Sequence, residues 1–411
     1  MLDSQTTLYP KNLASHEAIT IARPKQMTLD IIALTTYSMH LQNNQYKGKG
    51  AGLFNTLSER YNLKALHSIE IPRQQKYYHY LTHIRPNRSD WATAARMNIR
   101  AFWDRTKLAE TVLEQYEDQY DLIFQHHTMM APGISYRQRP YVIATDNTYR
   151  LSERHWPDWV PLKEERDEWL AAETDVFRHA TFIFTWSEFA RQSFIHDYGI
   201  DPEKVVVTGS SSNFRIRETP KEDFSQPIAL FVGYDFERKG GHVLLKAWPQ
   251  IRENVPDAEL WIVGPKKPLA EPMAGVKWIG RVYDAKEMNA LYEQASAFLL
   301  PSLFEPFAFA VLEAMGVGLP CVTVKDFGVQ EMIRDGVDGR LVKVGDPDSL
   351  AEAVIPLLSD PEYARALGHA GYKTLNERFT WSAVVNRMMP SLQRVSRNRK
   401  WASPPASPAS V

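Results

Sequence analysis

Residues 301–322 read PSLFEPFAFAVLEAMGVGLPCV, with seven residues between Glu305 and Glu313 and two glycines closing the stretch. Pro306 suits a first helical position, because its missing N–H would have no intrahelical partner there. The helix then propagates from Phe307 to Met315 and is stopped by Gly316 and Gly318. Glu305 falls in the entry loop and Glu313 on the second turn, about 10 Å apart, the span of a diphosphate with a hydroxylated ring at each end. The free N–H groups and positive dipole end of such a helix favour an anion between them. Two glutamates at this spacing can also be ordinary exposed helix residues. The flanking strand-like runs, Ala297 to Leu300 and Pro320 to Val324, favour a site, because they make the pair part of a strand-to-helix turn where α/β folds bind ligands.

The chain has 411 residues, 44% apolar and 24% charged, enough for two globular domains. A formal net charge of −1 lacks the basic face that nucleic-acid phosphates require, so no nucleic-acid partner is expected. The single Cys321, in GLPCVTV, excludes an internal disulfide and reads as a buried strand residue in a reducing cytoplasm. No run approaches the length of a membrane span, and MLDSQTTLYPKNLASHE lacks the order of a signal peptide, so neither export by that route nor a spanning helix is expected.

Residues 1–27 carry no sustained period and read as an irregular arm. Thr28 to Thr35 is the first buried strand. After a loop, the GKGAG run at 48–52, with Gly50 at its centre, leads into a helix from near Gly52; the run is either flexible or substrate-facing. Ala65 to Ile71 reads as a strand and Trp91 to Leu113 as one long helix. The stretch YDLIFQHHTMMAP (120–132) is a buried strand running into His126 and His127, at the edge where open α/β sheets bind ligands; a histidine hydrogen-bonded at a strand end is the structural alternative. Strands at Tyr141–Thr145, 181–187 and Lys204–Thr208 alternate with helices at Leu162–Ala180 and Glu188–Tyr198. The polar stretch Arg215 to Pro227 reads as a linker. IALFVG, a loop DFERKGG and the helix HVLLKAWPQIREN open a second α/β unit. Lys239, at the entry of that helix, opposes its dipole, which a diphosphate partner explains better than local stability. Further alternation follows through ELWIVG, VKWIG, a helix at Ala285–Ala295, and helices at Pro347–Leu358, Pro361–Phe379 and Trp381–Val395.

These motifs together resemble the retaining nucleotide-sugar glycosyltransferases of the GT-B fold, family 4, whose frame is PSxxEPFGxxxxEAMAxGxPVV. The stretch GVQEMIRDGVDGRLV resembles that family's GGxPEVIxxGxxGxLV, with Glu331 in place and Gln330 for the proline, and Gly233 to Gly240 resembles its GRLxxxKG. The implied fold is α/β, with two doubly wound Rossmann-like domains facing across a cleft. The N-terminal, acceptor-side domain covers 1–218, a linker 219–227, the nucleotide-sugar domain 228–380, a helix returning to the first domain 381–395, and a disordered tail 396–411. By the same resemblance Glu305 bonds hydroxyls of the donor sugar, Glu313 holds the ribose, and the amides of Phe307, Ala308 and Phe309 face sugar and diphosphate. His126 contacts the sugar, Lys239 and the Gly233 loop bind phosphate, and the loop holding Gly50 borders the diphosphate. Three departures bear on the site. Ala308 replaces a glycine and narrows the sugar pocket, Tyr234 replaces an arginine for which Arg238 is the candidate substitute, and GSSSN replaces NGVD, leaving Asn213 as the nearest match.

The implied activity is transfer of a sugar from a nucleoside-diphosphate sugar to an acceptor hydroxyl, with retained configuration, in polysaccharide or glycoconjugate synthesis. The acceptor is a carbohydrate, a lipid-linked molecule or another hydroxyl compound. No cofactor is expected, and no His/Asp/Glu cluster in the sequence has metal-ligand spacing. The alternatives are a GT-B epimerase or phosphorylase, and a degenerate, non-catalytic binding subunit. The expected location is cytoplasmic. Arg394, Arg397, Arg399 and Lys400 run into Trp401, either as a peripheral membrane contact or as a solvated end.

Overall fold

The computed structural model describes residues 29–397 except 49, 117, 118, 161, 213 and 215. The expected N-terminal arm, the basic tail beyond 397 and Asn213 lie outside the described residues. The first half runs β1 (Asp30–Thr35), β2 (Met39–Gln42), β3 (Gln45–Gly48), α1 (Ala51–Arg60), β4 (Asn62–Ser68), α2 (Arg73–Thr82), α3 (Arg88–Arg96) and α4 (Ile99–Glu114). It continues through β5 (Leu122–His126), β6 (Tyr141–Thr145), α5 (Tyr149–His155), α6 (Arg166–His179), β7 (Phe182–Thr185), α7 (Glu188–His196) and β8 (Val205–Val207). The second half runs β9 (Ile228–Val232), α8 (Gly241–Asn254), β10 (Glu259–Val263), β11 (Val276–Gly280), α9 (Ala285–Gln294) and β12 (Ala297–Leu300). Then come α10 (Phe309–Val317), β13 (Cys321–Val324), β14 (Arg340–Val342), α11 (Pro347–Ser359), α12 (Pro361–Arg378) and α13 (Trp381–Arg397).

Two six-stranded sheets result, in the orders β4-β1-β5-β6-β7-β8 and β11-β10-β9-β12-β13-β14. Their strand pairs are parallel throughout. Helices cover both faces, which is why β5, β6, β12 and β13 are buried along their whole length without alternation. Each sheet reverses its order once, between β1 and β5 and between β9 and β12. The loops leaving those strands open a crevice at each reversal, where an open α/β sheet accepts a ligand. After the second sheet the chain returns: Val384, Val385, Met388 and Leu392 of α13 pack with Phe54 and Leu57 of α1. No helix among the described residues is long and apolar enough to cross a membrane.

Local structure differs from expectation at four places, each for a physical reason. The long helix expected over Trp91 to Leu113 is two helices, split by Asn98. This fully buried side chain accepts from Ala101 N (2.7 Å) and donates to the Ala94 and Ala95 carbonyls (3.1 and 3.0 Å), ending α3 and capping α4 at once. The helix expected from Phe307 starts at Phe309, with Ala308 extended as its N-cap. Tertiary contacts hold this entry open: a Cβ on Gly328 would sit 1.9 Å from the Pro306 carbonyl oxygen, so the two backbones touch. The loop after β1 folds as an antiparallel hairpin of β2 and β3. The fourth difference is α2, which lies where no element was expected and whose one buried residue is His79.

Replacing Asn98 by alanine removes a cap and leaves buried backbone groups unpaired. The expected loss is about 2 kcal/mol of unfolding free energy, read from urea denaturation.

Candidate functional site

At the first sheet's reversal, Thr35 of β1 and His126 of β5 lie side by side in register. Gly50 follows the β2–β3 hairpin with φ +84°, a left-handed conformation, and a Cβ there would lie 2.9 Å from His126 Cε1. Glycine thus lets the start of α1 lie directly on the imidazole. His126 is buried and meets the edges of Tyr37 and Phe54 (ring centroids 5.6 and 5.7 Å). His127 takes φ +68° as the strand ends, and its Nδ1 lies 3.9 Å from Asp146 Oδ1.

At the second reversal two loops clamp together. A Cβ on Gly240 (φ +78°) would lie 1.8 Å from the Pro301 carbonyl oxygen, and Leu303 N donates to the Arg238 carbonyl (2.7 Å). Gly233 serves the same packing, since a Cβ there would come within 3.0 Å of the Lys239 Cβ. Glu305 is buried between the loops. Its carboxylate accepts from Lys239 Nζ and, at 3.3 Å, from Arg238 Nη1. Arg238 also donates to the Phe304 carbonyl (2.8 Å) and, through Nε, to Asp235 (3.0 Å), and its guanidinium lies 4.7 Å from the Trp159 ring centre. Burial pushes the Lys239 ammonium below its usual pKa, against the pull of Glu305. Tyr234 points elsewhere, donating to the Val282 carbonyl (2.8 Å) beneath Arg281. The second cation beside Lys239 is therefore Arg238.

Glu313, on the second turn of α10, is held by the hydroxyls of Ser212 (3.2 Å) and Tyr292 (3.0 Å), and burial raises its pKa. Sequence reading missed both partners, although Ser212 stands in the GSSSN that departs from the family. Phe307 packs its ring against Trp186 and Phe379, and Ala308 is buried. The N–H groups of Phe307, Ala308 and Phe309 donate to no other described residue.

Of the expected site residues, Gly50, His126, Phe309 and Glu313 line one cavity of about 200 Å³ between the two sheets. Gly233, Arg238, Lys239 and Glu305 form a separate cluster, joined to that cavity by the short segment through Phe307 and Ala308. A larger cavity of about 780 Å³ lies against the first sheet and shares Tyr37, Trp186 and Phe309 with the smaller one. The halves also touch beyond the cavities. Glu331 accepts from the backbone N–H groups of Glu188 (2.7 Å) and Phe189 (2.8 Å), capping α7 from the opposite half, and His155 stacks on Phe304 (5.4 Å).

Residues 212–374 match the family model of the glycosyl transferases group 1. The alpha-maltose-1-phosphate synthase of Mycobacterium tuberculosis is 28% identical over 214 residues, 48% of this chain and 55% of that protein. The phosphatidyl-myo-inositol mannosyltransferase of Mycobacterium leprae is 33% identical over 222 residues, 51% of this chain and 58% of that protein. The chain thus spans about half the length of the curated relatives it matches. Among solved structures, Anabaena HepE in complex with UDP-glucose superposes with a TM-score of 0.55 at 17% identity, covering 90% of this chain and 100% of that one. The likeness shows the fold, which is GT-B: two parallel-sheet Rossmann-like domains.

Glu173, unmarked by any sequence motif, lines the larger cavity. It accepts from the Tyr198 hydroxyl and from Tyr149 N (3.2 Å), and burial raises its pKa from 4.5 to about 7. An acid whose folded pKa is raised binds more protons folded than unfolded across that window. Its contribution is therefore fully present below 4.5 and is lost as pH rises through about 7. The loss is on the order of 3 kcal/mol at most. Melting curves between pH 4.5 and 8 should show this decline in the natural protein and a flatter profile in Glu173→Gln.

Proposed function

We propose that the protein is a retaining glycosyltransferase, moving a sugar from a nucleoside-diphosphate sugar to an acceptor hydroxyl. The observation that carries this reading is the joining of two ligand-binding sheet edges at one cleft, with Glu313 and the three uncommitted amides of 307–309 beside the Lys239–Arg238–Glu305 cluster. In this reading the second half, 228–380, binds the donor. Glu313, oriented by Ser212 and Tyr292, accepts from the ribose hydroxyls. The free amides before α10, Lys239 and Arg238 face the diphosphate, and their charge strengthens in effect as the leaving group develops its own. Glu305 holds Lys239 while no donor is present. When the diphosphate draws the ammonium away, the carboxylate is left to accept from sugar hydroxyls, with His126 on the opposite wall. The first half, 1–218, offers the larger cavity to the acceptor.

The chemistry needs no protein nucleophile. The bond from the anomeric carbon to the diphosphate oxygen breaks, and the acceptor oxygen bonds to the same carbon on the same face. The acceptor's proton passes to the departing phosphate oxygen. The HepE complex makes UDP-glucose the first donor to test, and the setting expected for the reaction is cytoplasmic.

Thermal-shift screening against UDP-, GDP- and TDP-sugars should reveal one base whose nucleotide raises the melting temperature by mass action. Turnover with that donor follows, and turnover that depends on free phosphate would make the protein a phosphorylase. Glu305→Gln should abolish transfer while keeping nucleoside-diphosphate affinity within a few fold. Glu313→Ala should weaken the free nucleotide roughly tenfold or more, the worth of a charge-assisted hydrogen bond. Equal, small effects of the two changes on nucleotide affinity would overturn this division of roles. Lys239→Gln should reduce turnover by on the order of a hundredfold, with a smaller effect on melting temperature.

A further inference from the structure

Most helices bury a stripe against the body of their protein, whereas α2 is anchored by one residue. His79 is buried, and its Nε2 lies 3.0 Å from Asp104 Oδ2 on α4. Around it, Tyr77, Leu81 and Ile84 are 54%, 70% and 61% exposed, and Tyr78, Tyr80 and Trp103 are exposed beside them. So much apolar and aromatic surface on α2 and beside it marks an interaction site. The same segment is basic. Residues 73–107 contain eight Lys or Arg, two Asp and no Glu, a net +6 in a chain of formal net charge −1. Lys76 pairs with Glu70 and Arg85 with Glu164, but Arg73, Arg88, Arg96, Arg100 and Lys107 form no ion pair with a described residue. Arg73 and Arg100 are instead held against aromatic residues: Arg73 Nε donates to the Tyr77 hydroxyl (3.1 Å), and the Arg100 guanidinium lies 4.1 Å from the Tyr78 ring centre.

Charge and shape select the partner. A second copy of the chain would set one basic surface against another. Nucleic acid would use the cations and leave Leu81 and Ile84 in water. An anionic lipid bilayer uses every part: tyrosine and tryptophan settle at the headgroup level, the aliphatic side chains enter below it, and each basic residue gains from the negative surface.

We propose that the α2–α3 hairpin is a docking face for an anionic lipid bilayer. Lys76, Tyr80 and Arg96 of the same hairpin line the larger cavity, so docking brings the mouth of that cavity to the membrane. On the reading that this cavity receives the acceptor, the acceptor is a hydroxyl compound presented at the bilayer surface.

Co-sedimentation of the full chain tests the docking face without any donor, so it fails or succeeds independently of the glycosyltransferase reading. The probes are vesicles of phosphatidylcholine alone and of phosphatidylcholine with equal phosphatidylglycerol, at low and high salt. The chain should pellet with the anionic vesicles at low salt, with affinity at least tenfold lower on neutral vesicles or at high salt. Two variants, Tyr77→Ser with Leu81→Ser and Ile84→Ser, and Arg73→Glu with Arg88→Glu, should each lose at least tenfold, since one basic residue near such a surface is worth about fivefold. Circular dichroism melts establish that each variant is folded. A tail variant, Arg397→Gln with Arg399→Gln, Lys400→Gln and Trp401→Ser, should bind within about threefold of the natural chain. The proposal is overturned if the natural chain stays in the supernatant, if the folded hairpin variants pellet undiminished, or if the tail variant alone abolishes binding.

Discussion

The carboxylate of Glu305, shared by Lys239 and Arg238, fastens the loop after β9 to the loop after β12. These strands are neighbours in the sheet but distant in sequence, and they flank the point where strand order reverses. Two cations buried next to each other repel, and each pays heavily for leaving water. The carboxylate makes their burial tolerable. Gly240 lets the backbones meet closely enough for that contact, and Glu305 leads straight into the Pro306–Ala308 segment that precedes α10.

Much of this was legible in the chain. Period and composition were enough for the parallel alternation, because strands covered on both faces read as short continuous apolar runs. A glycine-bearing loop marked the end of β9 and the proline-bearing PSLFEP stretch the end of β12, and Glu305, Glu313 and Lys239 stood out because their types and spacing suit a phosphate ester. What escaped reading depended on contacts between distant segments. Ser212 reaches Glu313 from the connection between the two sheets, and Tyr292 from α9. The start of α10 is decided by Gly328, more than twenty positions beyond Pro306. Asn98 breaks a helix that propensity alone would continue, and nothing nearby announces that its side chain is buried.

The case of α2 is different in kind. Its apolar residues Tyr77, Tyr80 and Leu81 recur at helical spacing, yet they face outward and not toward a core. A helix kept by His79 and its flanking contacts carries its aromatic side chains outward.

Glu331 belongs to one half of the molecule and completes a helix of the other. If the halves part, the first turn of α7 loses the acceptor for the N–H groups of Glu188 and Phe189. Separation and fraying are then a single event. The exchange of those two amide hydrogens with solvent reports how often the cleft opens, on a timescale set by the joint between the halves.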